Sequence, residues 1–248
     1  MSLRTEESFT QATARVAKIV VEVGPNVLVE PDGSIAVHVL KNLARSVAGL
    51  MRSGSQVLMV PSGTVKSGSA QLKLSPLMIS MCEDSGTGLL LALYLEVYGK
   101  RKIGGSQVKI TSEDFADQRR KHLLHKVLHR LLEMSFVPII RGTKALMDPW
   151  DCKPGQPSIS KEHAIAIEIA RLTRADLLIV LTDIACPTDA CAGHSAILSQ
   201  DSEPTFGHPP MADGPLLVAA HGRIPNVLNR IVAGETVRQT CSEERPQT

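Results

Sequence analysis

VLMVPSGTVKSG, residues 57–68, is a short apolar run that ends in small, hydroxyl-bearing residues. This form is typical of a ligand loop at the carboxyl end of a buried parallel strand. Glycines in such a loop let backbone N–H groups approach a ligand, and hydroxyl groups donate hydrogen bonds to an anion. An ordinary turn after a strand is the alternative interpretation of this stretch.

Strand-like and helix-like segments alternate along the chain on both sides of this stretch. The predicted strands are short runs of apolar residues: 18–23, 57–61, 107–110, 136–140, 177–181 and 216–220. The predicted helices have apolar residues at every third or fourth position: 35–50, 74–98, 123–132, 161–174 and 227–232. The second helix is expected to break near Gly86-Thr87-Gly88. This alternation predicts an α/β fold, a three-layer α/β/α sandwich with a mainly parallel central sheet.

The same pattern predicts the domain organisation. Residues 16–238 form one expected domain, with an irregular excursion at 185–213 that is rich in proline, glycine and serine. Residues 1–15 are expected to be a polar lead-in, and residues 239–248 a flexible polar tail.

Composition limits the class of protein. The chain has 43% hydrophobic and 21% charged residues, which indicates a globular protein, and its net charge of +2 gives no argument for nucleic acid or a membrane as partner. Aromatic residues make up 3%, too few for base-stacking platforms. The five cysteines have no framework spacing, the N-terminus has no signal-peptide pattern, and the longest apolar run, 89–95, is too short to cross a bilayer. A cytoplasmic protein with free thiols is expected.

Two groups of residues invite a metal interpretation. His122, His125 and His129 recur at helical spacing, and Cys186, Cys191 and His194 lie close together in the sequence. Solvated helix positions are the alternative for the histidines, and free loop thiols are the alternative for the cysteines, whose spacing fits no common metal site. We therefore assign no metal ligand.

The expected site lies where the parallel strands end. In such sheets ligands bind outside the carboxyl ends of the strands. The strand exits contain small or polar residues: Gly24, Ser62-Gly63, Arg141-Gly142, Thr182-Asp183 and residues 220–222.

The motifs at these exits resemble those of the amino-acid kinase family, and within it the glutamate 5-kinases. Residues 20–28, VVEVGPNVL, are similar to the family's VVKVGSSVL, and residues 57–68 to its VxxVSSGAVxxG. SQVKITSEDF at 106–115 is similar to QxLLTxxDF, and ADLLIVLTD at 175–183 to ADxLxxLTD. Residues 214–234 resemble the family's closing segment, so the resemblance covers most of the chain, in the family's order.

This resemblance implies ATP- and magnesium-dependent phosphorylation of the γ-carboxylate of glutamate, which opens proline synthesis. It implies that Ser62 and Gly63 bind the substrate and that Gly24, Thr182 and Asp183 border the nucleotide. The implied partner is a small molecule, glutamate or a similar acid. Members of the family tend to form homo-oligomers, and the apolar segment 74–98 is either an interface or part of the core.

Several positions that carry charge in the family differ here. Glu22 aligns with a phosphate-binding lysine of the first strand, and His163 falls on an organising aspartate. RGTK at 141–144 replaces the glutamate-binding NEND segment, and a second phosphate lysine has no counterpart between 191 and 214. An active kinase would need Lys66, Lys144 or Lys161 as compensating cations, and the sequence assigns no catalytic residue.

Three hypotheses follow from these differences. The first is an active kinase of glutamate or a similar small acid, and the second is a non-catalytic binding, regulatory or assembly subunit. The third is a binder of another anion that uses Arg141 and Lys144. Glu22, near the end of an apolar strand, needs a partner if it is buried, and we expect Lys66 or Lys144 to pair with it.

Overall fold

The computed structural model describes residues 17–24, 26–32, 34–61, 83–142, 161–183, 196–197 and 215–234. The strands in these residues are β1 (Lys18–Val23), β2 (Gln56–Pro61), β3 (Gly104–Ile110), β4 (Phe136–Gly142), β5 (Leu177–Thr182), β6 (Ala196–Ile197) and β7 (Leu216–His221). The helices are α1 (Val37–Arg52), α2 (Glu83–Gly99), α3 (Glu113–Ala116), α4 (Gln118–Glu133), α5 (Lys161–Thr173) and α6 (Val227–Val232). None of the described helices is long and apolar enough to cross a membrane.

The strands form one mainly parallel sheet, as predicted. Their order is β3-β4-β2-β1-β5-β7-β6, and the first six pair in parallel with their neighbours. The two-residue β6 pairs antiparallel with β7 at one edge. Because the six long strands run in one direction, their carboxyl ends meet at the same edge of the sheet, here called the carboxyl edge.

Helices cover both faces of this sheet, which confirms the three-layer prediction. Alternate residues of β1 point to opposite faces: Ile19 and Val21 belong to a buried cluster with residues of α1, α2 and α6. Val20 belongs to a second cluster, with residues of α4 and α5. Each side of β1 is therefore covered by apolar side chains, so the strand reads as a nearly continuous hydrophobic run.

Helix α2 departs from one expectation. The predicted break at Gly86-Thr87-Gly88 is wrong, because α2 runs unbroken from Glu83 to Gly99. A glycine costs a helix about 1 kcal/mol relative to alanine, which packing of the rest of the helix can offset. Leu90 and Tyr94 of α2 lie in the core, whereas Leu95 is 40% exposed, so the described part of the segment is mainly core.

Candidate functional site

Two backbone contacts join the ends of β1, β5 and β7 at the carboxyl edge. The N–H of Gly24 donates to the carbonyl of Leu181 over 2.8 Å, and the N–H of Gly222 donates to the carbonyl of Thr182 over 2.8 Å. A Cβ atom at Gly24 would lie 2.7 Å from the Leu181 carbonyl oxygen, closer than real Cβ contacts allow. Gly24 is therefore required for the close approach of β1 to β5.

The predicted site residues divide into those that the structure places and those that it does not describe. Gly24 and Thr182 are brought together, with 3.7 Å between a Cβ built at Gly24 and the Cα of Thr182, and Asp183 follows directly at the end of β5. Lys161 is the first residue of α5. Four further residues lie outside the described part of the chain: Ser62, Gly63, Lys66 and Lys144. Pro61, which precedes Ser62, pairs in register with Val23 beside Gly24.

A buried acid–base pair lies close to these strand ends. Glu22, the second-last residue of β1, has its Oε2 atom 2.6 Å from Nδ1 of His163 in the first turn of α5. Only 6% of the Glu22 side chain and 11% of the His163 side chain are exposed. We call these two residues the edge pair. Burial protects their contact from solvent screening, but it also removes both groups from water.

The direction of α5 explains why His163 reaches Glu22. At the other end of the helix, Nζ of Lys18 donates to the carbonyl of Thr173 over 2.7 Å, and Lys18 begins β1. Helix α5 therefore runs antiparallel to β1, and its first turn lies at the carboxyl edge. The positive end of the helix dipole, in that turn, also favours a neighbouring carboxylate.

The edge pair gives Glu22 a partner that the sequence did not predict. In the described residues the contact is with His163, and the predicted partners, Lys66 and Lys144, lie outside that part of the chain. The need for a partner could be predicted, because a charged residue ends an otherwise apolar strand. Its identity could not, because 141 residues separate Glu22 from His163.

Arg223 joins the loop after β7 to the loop after β1. Its Nη1 atom donates to Oε2 of Glu30 over 3.0 Å, and Nη2 donates to the carbonyls of Val29 and, over 3.3 Å, Asn26. Sequence reasoning missed this contact, which holds the loop after β7 against the loop after β1 at the carboxyl edge. An arginine three residues after a predicted strand was the only signal.

The exit of β3 is fixed by Asp114. This carboxylate accepts from the backbone N–H of Thr111 over 2.6 Å, from its hydroxyl over 3.0 Å, and from Nε of Arg120 over 3.0 Å. Burial of the carboxylate favours the neutral form, but the hydrogen bonds from Thr111 and Arg120 outweigh it and lower the pKa of Asp114 below its usual value. Thr111 and Ser112 thus connect β3 to the short helix α3, which contains Asp114.

The metal interpretations gain no support from the described residues. No group of three or more histidine, cysteine, aspartate or glutamate side chains in that part of the chain could hold a metal ion. The rings of His125 and His129 lie 6.1 Å apart on α4, and burial together with neighbouring positive charges, His129 among them, lowers the pKa of His125. Cys186, Cys191 and His194 lie outside the described residues.

Comparison with known proteins agrees with this architecture. The model of the amino acid kinase family matches residues 17–185, a range that contains β1 to β5 and the edge pair. The chain belongs to the amino acid kinase family. The family resemblance predicted from the strand-exit motifs is therefore confirmed.

Curated relatives of this chain carry the name glutamate 5-kinase. Those of Caldanaerobacter subterraneus subsp. tengcongensis and Thermoanaerobacter sp. are 27% and 28% identical; each alignment covers 90% of this chain and 67% of the relative. A glutamate 5-kinase of Streptococcus pneumoniae is 30% identical over 67% of this chain and 45% of its own length. UMP kinase from Ureaplasma parvum has a similar fold, with a TM-score of 0.56, 14% identity, and coverage of 90% and 97% of the two chains.

The end of β1 fits a nucleotide triphosphate poorly. Kinases of this family use ATP, and phosphoryl transfer needs cations around the phosphate groups. The N–H of Gly24 is bonded to the Leu181 carbonyl, and the charged side chain that β1 carries to this edge is the carboxylate of Glu22. His163 at most neutralises that carboxylate, so the edge pair supplies no net positive charge.

Proposed function

We propose that this protein is glutamate 5-kinase-like: that its carboxyl edge binds glutamate or a similar small acid, and that it transfers the terminal phosphoryl group of magnesium-bound ATP to the γ-carboxylate. The observation that supports the proposal is the alignment of 90% of the chain with proteins named glutamate 5-kinase.

In this proposal three of the described residues, Gly24, Thr182 and Asp183, form the nucleotide side of the site. Gly24 brings the end of β1 against the end of β5, so that Thr182 and Asp183 lie beside it. Thr182 and Asp183 supply a hydroxyl and a carboxylate on the nucleotide side. The acceptor is assigned to the loop after β2, where Ser62 and Gly63 follow Pro61.

A second candidate is a non-catalytic member of the family that keeps ligand binding as a regulatory or assembly subunit. The edge pair supports this candidate, since it places a carboxylate at the end of β1, next to the residues that this proposal assigns to the nucleotide. Both candidates share the fold and the acceptor, and they differ in whether the phosphoryl group is transferred.

Trapping the acyl phosphate with hydroxylamine separates the two candidates. With glutamate and magnesium–ATP, the first predicts hydroxamate that requires both substrates, is strongly reduced in Asp183→Asn, and persists in Glu96→Gln, an exposed change on α2. Glutamate binding measured by calorimetry without any hydroxamate would select the second candidate. Neither glutamate binding nor hydroxamate would overturn both.

A further inference from the structure

We propose that the edge pair, Glu22 and His163, determines ligand specificity at this site by lowering its affinity for polyphosphates. Nucleosides and nucleotides with few phosphate groups are then bound better than the triphosphate. This inference rests on the second candidate of the proposed function, a family member that binds ligands without phosphoryl transfer, because it assumes that a nucleotide approaches the carboxyl edge at the end of β1.

The position of the pair is the first argument. Glu22 pairs in register with Val60 of β2 and Val180 of β5, so it lies in the middle of the sheet, two residues from its carboxyl edge. His163 comes from the first turn of α5, on the face of the sheet that α4 and α5 cover. Any anion seated against the end of β1 and the start of α5 would adjoin both side chains.

The charge of the pair is the second argument. The positive end of a helix dipole and free N–H groups make the start of a helix suitable for anions. Here a carboxylate of the protein itself lies beside that first turn, 2.6 Å from the imidazole. This carboxylate competes with a bound anion for the positive end of the helix dipole. It also repels phosphate oxygens, and the repulsion grows with the number of phosphate groups.

The low net value of buried ion pairs for stability is the third argument. Replacing such a pair by apolar side chains of similar size is often neutral or stabilising, so folding alone gives little reason for charged groups here. The neighbours of Glu22 on the same face of the sheet, Val60 and Leu58, are apolar and almost fully buried. A leucine would fit that environment, so the charges point to ligand selection.

Reversing the polarity of the pair tests this inference. The variant Glu22→Lys with His163→Asp keeps a buried pair but places a cation on β1. Calorimetry with adenosine, AMP, ADP and magnesium–ATP should show affinity that decreases with phosphate number in the wild type. In the swapped variant the affinity for magnesium–ATP should rise by about ten-fold or more, with that for adenosine nearly unchanged.

Two further variants control for charge and for folding. Glu96→Lys with Lys100→Glu swaps an exposed pair on α2, and it should leave every affinity unchanged. If the swapped edge pair prevents folding, Glu22→Gln with His163→Asn removes the charges with little change in shape. It should still raise the ratio of ATP to adenosine affinity, which a merely structural role would not alter.

Each outcome supports or overturns the inference. A wild type that binds magnesium–ATP more tightly than AMP overturns it, as does a swapped or neutral variant whose ratio of ATP to adenosine affinity stays at the wild-type value. Absence of nucleotide binding in every variant also overturns it. Glutamate binding measured in the same samples is independent of this result, so its loss would point to failure of the proposed function instead.

Discussion

Replacing His163 by leucine should strongly destabilise the fold, because it leaves the carboxylate of Glu22 buried without its partner. The two side chains are 11% and 6% exposed and their atoms lie 2.6 Å apart, so water cannot replace the imidazole without opening the sheet edge. Removing one member of a buried pair costs about 3–5 kcal/mol. For a chain of this size that corresponds to a fall in Tm of roughly 6–20 °C.

A double-mutant cycle turns this cost into a measure of the contact. Glu22→Leu leaves the imidazole without its carboxylate and should cost about 1–3 kcal/mol. The double variant replaces both groups by apolar side chains and should lie within about 1 kcal/mol of the wild type. The coupling energy is then at least about 3 kcal/mol, well above the error of a urea titration followed by circular dichroism.

A matched cycle on the same helix provides the control. Glu168 and Arg171 of α5 form an ion pair of 2.8 Å, but the arginine side chain is 44% exposed. Their coupling should be below about 0.5 kcal/mol, as for other surface pairs on helices. The reasoning is refuted if the Glu22 and His163 changes add independently, or if His163→Leu alone costs no more than a surface change.

Three further predictions concern other parts of the fold. Gly24→Ala should lower the free energy of unfolding by about 1–3 kcal/mol, because its Cβ would meet the Leu181 carbonyl. Gly99→Ala, where the added Cβ lies in open space, should cause no loss of stability. Equal unfolding curves for the two variants would contradict this. Tyr94→Phe should be neutral or slightly stabilising, because this fully buried hydroxyl has no hydrogen-bond partner among the described residues. A fall of more than about 1 kcal/mol in the free energy of unfolding, measured in urea, would contradict this. Asp114→Asn should cost about 1 kcal/mol at pH 7. The folded pKa of Asp114 is lowered, so its contribution is present above about pH 4 and is lost as the pH falls through that pKa; a difference from the wild type that persists at pH 2 would refute this.

The sheet could be predicted from sequence because its signal is local. Buried parallel strands are short apolar runs, and the predicted bounds of β1 match the structure residue for residue. Strand β4 was predicted to end before Arg141, yet it extends to Gly142 because Arg141 pairs with Lys109 of β3. Such an extension depends on a neighbouring strand, so the sequence of β4 alone does not contain it.

The candidate site was less predictable, because its contacts join distant parts of the chain. Glycine at the end of β1 was recognised, but its function in bringing β1 close to the Leu181 carbonyl is visible only in three dimensions. The same holds for Arg223, whose contact with Glu30 spans 193 residues. Charge in an apolar strand predicts that a partner exists, whereas the fold decides which residue it is.

The edge pair can be observed most directly by nuclear magnetic resonance of ¹⁵N-labelled histidine. The chain contains eight histidines, and one of them, His163, should show a ring proton at Nδ1 that exchanges slowly with water and is absent in Glu22→Leu. Fast exchange at all eight rings, or a slow proton that persists in Glu22→Leu, would contradict a buried contact between Glu22 and His163.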